Sequence, residues 1–175
     1  MTSDPSPPSF VTIEPIKTSY ALRPAAGKEV PALATLWHDA WRDGHLGHVP
    51  IALEAHRTLD GFRRRMADRV DLTTVAEGDG GPIGFVTVRD DEVEQLHVAA
   101  AARGTGVAVA LLDHAERQIA RRHEQAWLAV VAGNERARSF YRRQGWRDRG
   151  EVAYPADDLT VLAHRYERTL PCPDR

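Results

Sequence analysis

Lysine is almost missing from this chain: Lys17 and Lys28 are its only two lysines, and arginine supplies the rest of the positive charge. The skew reads as coding-base composition rather than as a phosphate-binding surface. A formal net charge of −2 gives no general pull toward nucleic acid or anionic membrane, so any basic site must be local. Cysteine is just as scarce. Cys172, set between Pro171 and Pro173, cannot form an internal disulfide, belongs to no zinc-ligand spacing and reads as incidental rather than as a nucleophile. No apolar run reaches the roughly 18 residues of a membrane span, and no charged-then-apolar leader opens the sequence. A cytoplasmic location is the expectation.

What is present is enough for one domain with a real core, since 175 residues carry an ordinary share of apolar side chains. Residues 1–18 are rich in Pro, Ser and Thr and are expected to form a flexible tail ahead of a single domain over 19–170. Tyr20 to Arg23 reads as a strand closed by Pro24. A helix follows from Gly27, with Pro31 tolerated in its first turn and Val30, Leu33, Ala34, Trp37 and Trp41 on one stripe. Gly44 is expected to end it. After a polar loop to Pro50, one second helix should bury Leu59, Phe62 and Met66 and leave Arg63, Arg64, Arg65 and Arg69 solvated.

The periodicity then changes. Leu72 to Ala76, the turn Gly78 to Pro82, and Ile83 to Val88 read as a hairpin, and Asp90-Asp91 turns the chain into a strand over Val93 to Val98. Gly104 should open a helix to about His123, with Ala108, Leu111, Leu112, Ala115 and Ile119 on one face. Trp127 to Val131 reads as a strand buried on both faces. Asn134 caps a helix that ends at Gly145, and strands near 146–153 and 159–168 flank a turn at Asp157-Asp158. The order β, α, α, β, β, β, α, β, α, β, β predicts an α/β (α+β) fold with a mixed sheet and helices on both faces.

The strongest chemical signal lies at the junction Arg103-Gly104-Thr105-Gly106. The first four N–H groups of a helix lack intrahelical partners, and the macrodipole makes that end positive. Glycines there let a pyrophosphate approach the backbone, and Arg103 adds fixed charge. A dinucleotide site is the obvious competitor. It requires a small residue where Val109 stands and an acidic residue ending the next strand, which closes instead on Ala132-Gly133-Asn134. That reading fails at both places.

Here the sequence resembles the GNAT acetyltransferase superfamily, whose acetyl-CoA motif is Q/R-x-x-G-x-G/A between a strand and a helix. Set on Ala101 to Gly106, the motif meets both glycines and finds Ala101 where Gln or Arg is usual. A second element is present as Asn134, Ala137, Tyr141 and Gly145-Trp146, and the resemblance runs from Tyr20 to about Arg168. It implies a mostly antiparallel sheet. It also implies that residues 104–108 (Gly104, Thr105, Gly106, Val107, Ala108), with Arg103, hold the cofactor pyrophosphate. The backbone of Leu96, His97 and Val98 would pair with the pantetheine arm, and Asn134 would touch the cofactor beside a splayed fifth strand.

Amide formation needs a neutral amine, a polarised thioester carbonyl and a proton for the leaving thiolate. An amine of pKa near 10 arrives protonated, so a carboxylate must take that proton directly or through water. Glu92 and Glu94 share a face if their strand is regular. Measured back from Val98, both fall where the family keeps basic groups, and which of them is the base is left open. Tyr141 matches the family's general acid and would also contact the cofactor. The N–H of Val98 would polarise the carbonyl. Tyr154, His45 and His48 are weaker candidates, Trp37 and Trp41 read as core, and His97 as strand alternation. The spacing of His38, His45, His48 and His56 matches no metal pattern, so no metal is expected.

The resemblance thus implies transfer of acetyl from acetyl-CoA to a primary amine in a ternary complex, with small-molecule acceptors favoured. The partners expected are that amine, with no nucleic acid and no membrane, and a homodimer left open. A non-turnover acyl-CoA sensor and a peptide or protein N-acetyltransferase stand as alternatives.

Overall fold

The computed structural model describes residues 19–156 and 159–171. The tail, Cys172 and the Asp157-Asp158 turn named above lie outside them. Seven strands form one sheet in the order β1-β2-β3-β4-β5-β7-β6. They are β1 (Ala21–Pro24), β2 (Thr73–Gly78), β3 (Gly81–Arg89), β4 (Glu92–Val98), β5 (Gln125–Val131), β6 (Arg147–Ala156) and β7 (Leu159–Thr169). Every neighbouring pair is antiparallel except β4 with β5. The sheet is mixed and mostly antiparallel, as expected.

Three helices, not two, precede β2: α1 (Val30–His45), α2 (Ile51–His56) and α3 (Leu59–Ala67). The expected single second helix breaks at Arg57, whose ψ of 60° is not helical. Thr58 then caps a new start, its hydroxyl accepting from the Gly61 N–H at 3.2 Å. Gly44 does not stop α1 but sits in its last turn. On the other face, α4 (Val107–Ala120) and α5 (Glu135–Arg143) cover the sheet. Helix α4 begins at Val107 rather than at Gly104, with Gly106 as its cap.

The core divides around the sheet. Leu33, Trp37, Trp41, Phe62 and Met66 pack onto Val75 and Phe85 beneath α1 and α3. Leu111, Leu112, Ala115 and Ile119 of α4 pack onto Val86, Val88 and Val93 on the opposite side. The apolar stripes read from α1 and α4 are therefore the faces that fold inward. Strand β5 is a correction. Ala126, Leu128 and Val130 are buried, but Trp127 and Ala129 on its other face are only half-buried: Ala129 lines a cleft, and Trp127 is covered by the Arg165 guanidinium, 4.2 Å from its ring centroid.

Candidate active site

Strands β4 and β5 run parallel but meet at a single register pair, Glu92 with Trp127. The Trp127 N–H to Asp91 carbonyl bond, 3.0 Å long, closes that end. Beyond it the strands part, and the sheet is interrupted by a cleft of about 740 Å³ with Leu96 to Val98 on one wall and Leu128 to Val131 on the other. The facing backbone edges have no ladder partner along this gap among the described residues, which is what an extended, amide-bearing ligand needs for added-strand pairing.

At one mouth of the cleft stand Gly104 and Gly106, with φ of +78° and +88°. Both conformations are costly for residues with a Cβ. A Cβ built on either would meet nothing within 4 Å, so each glycine faces open space rather than packed protein. Helix α4 has no side-chain cap, and its first intrahelical bond is donated by Ala110 to the Gly106 carbonyl at 3.0 Å. The N–H groups of Val107, Ala108 and Val109 are thus left without intrahelical acceptors beside that space. The Val107 side chain is core, and the Thr105 hydroxyl donates back to the Ala102 carbonyl at 2.6 Å, tightening the turn. Only the backbone of those two residues could serve a ligand there.

The motif's register is corrected by this geometry. Ala101 is exposed and lies off the cleft, whereas Arg103, Gly104, Gly106 and Ala108 line it. Read from Arg103, the string Arg103-Gly104-Thr105-Gly106-Val107-Ala108 satisfies Q/R-x-x-G-x-G/A at every fixed position. The Arg103 guanidinium is engaged with Asp43 of α1 at 2.6 Å, and it holds that carboxyl below its usual range. Asn134 lines the same mouth, but its side-chain oxygen caps α5 by accepting from the Ala137 N–H at 3.1 Å.

Farther in, Tyr141 forms part of the wall with Phe140, its ring centroid 5.2 Å away. Its hydroxyl has no hydrogen-bond partner among the described residues, and burial pushes the phenol up from its ordinary pKa. It stays a proton donor throughout the neutral range.

The two glutamates do share a side, but the strand is not regular. Val88 pairs with Val93 and Thr87 with Gln95, so Glu94 is the extra residue of a β-bulge. Upstream of it even-numbered side chains face α1 and α3; downstream, Gln95 and His97 do, while Leu96 and Val98 turn to the α4 core. His97 is therefore not an idle alternation. It lines the cleft between Trp37 and Phe85, with ring centroids at 6.0 and 5.5 Å. Burial lowers its pKa to about 3, so it is neutral there. His45 is also in the wall, stacked on Trp41 at 4.8 Å and donating from Nδ1 to the Trp41 carbonyl at 2.9 Å. Burial brings it down to about 4.

The environments of the glutamates differ. Glu94 accepts from Arg69 Nε and Nη2 at 3.1 and 2.8 Å and has Arg89 Nε at 3.5 Å. Among the described residues Glu92 accepts only from the Tyr154 hydroxyl, at 2.9 Å, and desolvation raises its pKa. Glu94 and Tyr154 line the cleft; Glu92 does not. Arg65 and Arg69, expected in solvent, turn inward over Phe62 and Trp37, 5.7 and 5.9 Å from the ring centroids. Tyr154, Arg65 and Arg69 carry no local sequence signal for this. Tyr154 arrives through the β6–β7 hairpin, and the arginines through the pitch of α3.

A helix-start anion cradle opening into a gap between two parallel strands, with a buried phenol farther along the gap, is the layout of an acyl-CoA-dependent transferase. The comparisons agree. The family described as Acetyltransferase (GNAT) family matches residues 31–146, and the chain belongs to it. It is an acyl-CoA-dependent acetyltransferase. Among solved structures the fold is similar to a GCN5-related N-acetyltransferase from Rhodopseudomonas palustris, with a TM-score of 0.73 and 18% identity over 90% of this chain and 99% of that one. It is also similar to a phosphinothricin acetyltransferase from Sinorhizobium meliloti in complex with AcCoA, at 0.63 and 16% over 86% and 88%. A third is the PaiA N-acetyltransferase of Thermoplasma acidophilum in complex with coenzyme A, at 0.65 and 16% over 86% and 99%. No curated protein matches the chain in sequence.

Proposed function

We propose that the protein moves acetyl from acetyl-CoA to the primary amine of a small molecule, by direct attack within a ternary complex in a cytoplasmic setting. The observation that carries this is the continuity of one cleft. It runs from the Gly104–Gly106 cradle, past Tyr141 and between the parted strands, to a chamber walled by Trp37, Trp41, Glu94, His97 and Tyr154. Donor and acceptor thus meet without a covalent enzyme intermediate. The N–H groups of residues 104–108 and Arg103 hold the pyrophosphate, the free edge over Leu96 to Val98 pairs with the amide-bearing arm, and the Val98 N–H polarises the thioester carbonyl. Tyr141, which keeps its proton throughout the neutral range, donates to the leaving sulfur as negative charge develops there. Glu92, raised by burial and in no arginine salt bridge among the described residues, takes the amine proton. Glu94, clamped by Arg69, shapes the chamber.

A small acceptor is favoured over a peptide because the chamber is walled on one side by Trp37 and Trp41 of α1 and on another by the end of β6 (Tyr154 to Ala156). The test is thiol release from acetyl-CoA across polyamines, aminoglycosides, amino acids and N-terminal peptides. Turnover of at least one small amine and of no peptide is expected. Acetyl-CoA raising the melting temperature with no amine acetylated would replace the enzyme reading by that of a sensor.

A further inference from the structure

Glu92 has the environment of a base but not the access. It is absent from the cleft wall, and the group through which it meets that wall is the Tyr154 hydroxyl. A carboxylate oxygen can only accept, so at 2.9 Å the phenol hydrogen points at Glu92 Oε1 and the lone pairs of the phenol oxygen face away from it. Tyr154 itself lines the chamber where the acceptor amine must stand. Among the groups set against this pair, Arg89 and Asp91 act on Glu92, Arg69 acts on Tyr154, and Glu94 acts on both. None of these lies between the phenol and the carboxylate in the hydrogen bond itself.

We infer that Tyr154 is a catalytic residue that relays the acceptor's proton to Glu92. The inference rests on the amine-acetylating reading above and names the route by which its base acts. As nitrogen attacks the thioester carbon, an N–H bond breaks and its proton passes to the Tyr154 oxygen. The phenol's own hydrogen passes to Glu92 Oε1, leaving a neutral carboxylic acid and a neutral phenol. The amine enters this step neutral, its ammonium proton already lost to solvent; its lone pair becomes the new C–N bond and the electrons of the broken N–H bond stay on nitrogen. Collapse of the adduct expels the thiolate, which takes its proton from Tyr141; Glu92 then returns its proton through Tyr154 to solvent and Tyr141 regains one from solvent, restoring both. No phenolate forms at Tyr154, which suits a phenol that burial and two nearby glutamates push up in pKa.

The experiment uses the full chain and the amine best acetylated in the thiol-release panel. Tyr154→Phe and Glu92→Gln should each lower kcat about 100-fold or more while calorimetry finds the acetyl-CoA Kd within twofold of the parent. The double variant should fall no further than the worse single one, because both substitutions cut one route. The acidic limb of the kcat/KM profile should vanish in both. Multiplying losses, or a Tyr154→Phe protein that keeps parental kcat and its acidic limb, would overturn the relay alone. A parent protein that binds acetyl-CoA and acetylates no amine would overturn the relay together with the function beneath it.

Discussion

Two glutamates two residues apart on one strand have opposite fates because one bulge and one arginine stand between them. Glu94 is clamped by Arg69, and the two side chains are about 90% and 80% buried. Removing its charge strands a guanidinium in low dielectric, so Glu94→Gln should cost about 1–3 kcal/mol in urea unfolding. Glu92→Gln, which strands no cation, should change unfolding by less than about 1 kcal/mol and act on turnover instead. Equal stability losses in the two variants would refute the distinction. Tyr141→Phe belongs with Glu92. The phenyl ring keeps its packing against Phe140 and Trp146, at 5.2 and 6.0 Å. The lost proton should appear as a kcat about 100-fold or more lower with acetyl-CoA affinity unchanged, and a variant that turns over normally would remove Tyr141 as the acid.

At the scale of elements, the junction before α4 depends on left-handed backbone at two glycines. Gly106→Ala forces a Cβ into φ of +88° and into the open cradle. It should cost about 1 kcal/mol of stability and weaken acetyl-CoA binding at least about tenfold by calorimetry. Gly27→Ala, also facing open space but not left-handed, is the control and should leave binding unchanged. This junction, the Asn134 cap and the stripes of α1 and α4 were legible in the sequence because each depends on neighbours within a turn or two. The α2–α3 break was less visible, since it rests on one ψ angle at Arg57 and a cap at Thr58. The bulge at Glu94 was invisible: it is a mismatch between two strands, and the pattern of β4 alone gives no sign of it. The inward turn of Arg69 and the arrival of Tyr154 were hidden for a similar reason, because their partners lie 25 and 62 residues away in sequence. The same holds for Asp43, whose contact with Arg103 ties α1 across the cleft mouth. Asp43→Asn should free that arginine for phosphate and tighten acetyl-CoA binding about two- to fivefold at low salt, with the gain fading as salt rises.

For the molecule as a whole, a cleft walled by neutral imidazoles sets how the fold responds to acid. His97 and His45 titrate near 6.5 when unfolded but are brought down to about 3 and about 4 by burial. Between about pH 6.5 and pH 4 the unfolded chain therefore binds protons that the folded one refuses. Stability must fall with falling pH there, by up to about 1.4 kcal/mol per pH unit for each histidine. The lowered carboxyls act later and in the same direction. Glu29, bonded by Arg23, and Asp148, bonded by His164, both titrate at about 2, so their contribution is present above about pH 4 and lost below it. Glu92, raised by burial, works against this trend because the folded state takes up its proton first. Burial also lowers His114 and raises Glu116, so three histidines are opposed to two glutamates, and the net slope between about pH 6.5 and pH 5 is a loss on acidification. Urea unfolding at about pH 7, 6 and 5 should show it, and His97→Phe, which keeps an aromatic ring between Trp37 and Phe85, should remove a large part of the loss. A parent protein equally stable across those three conditions would mean that His97 is not held neutral by the fold.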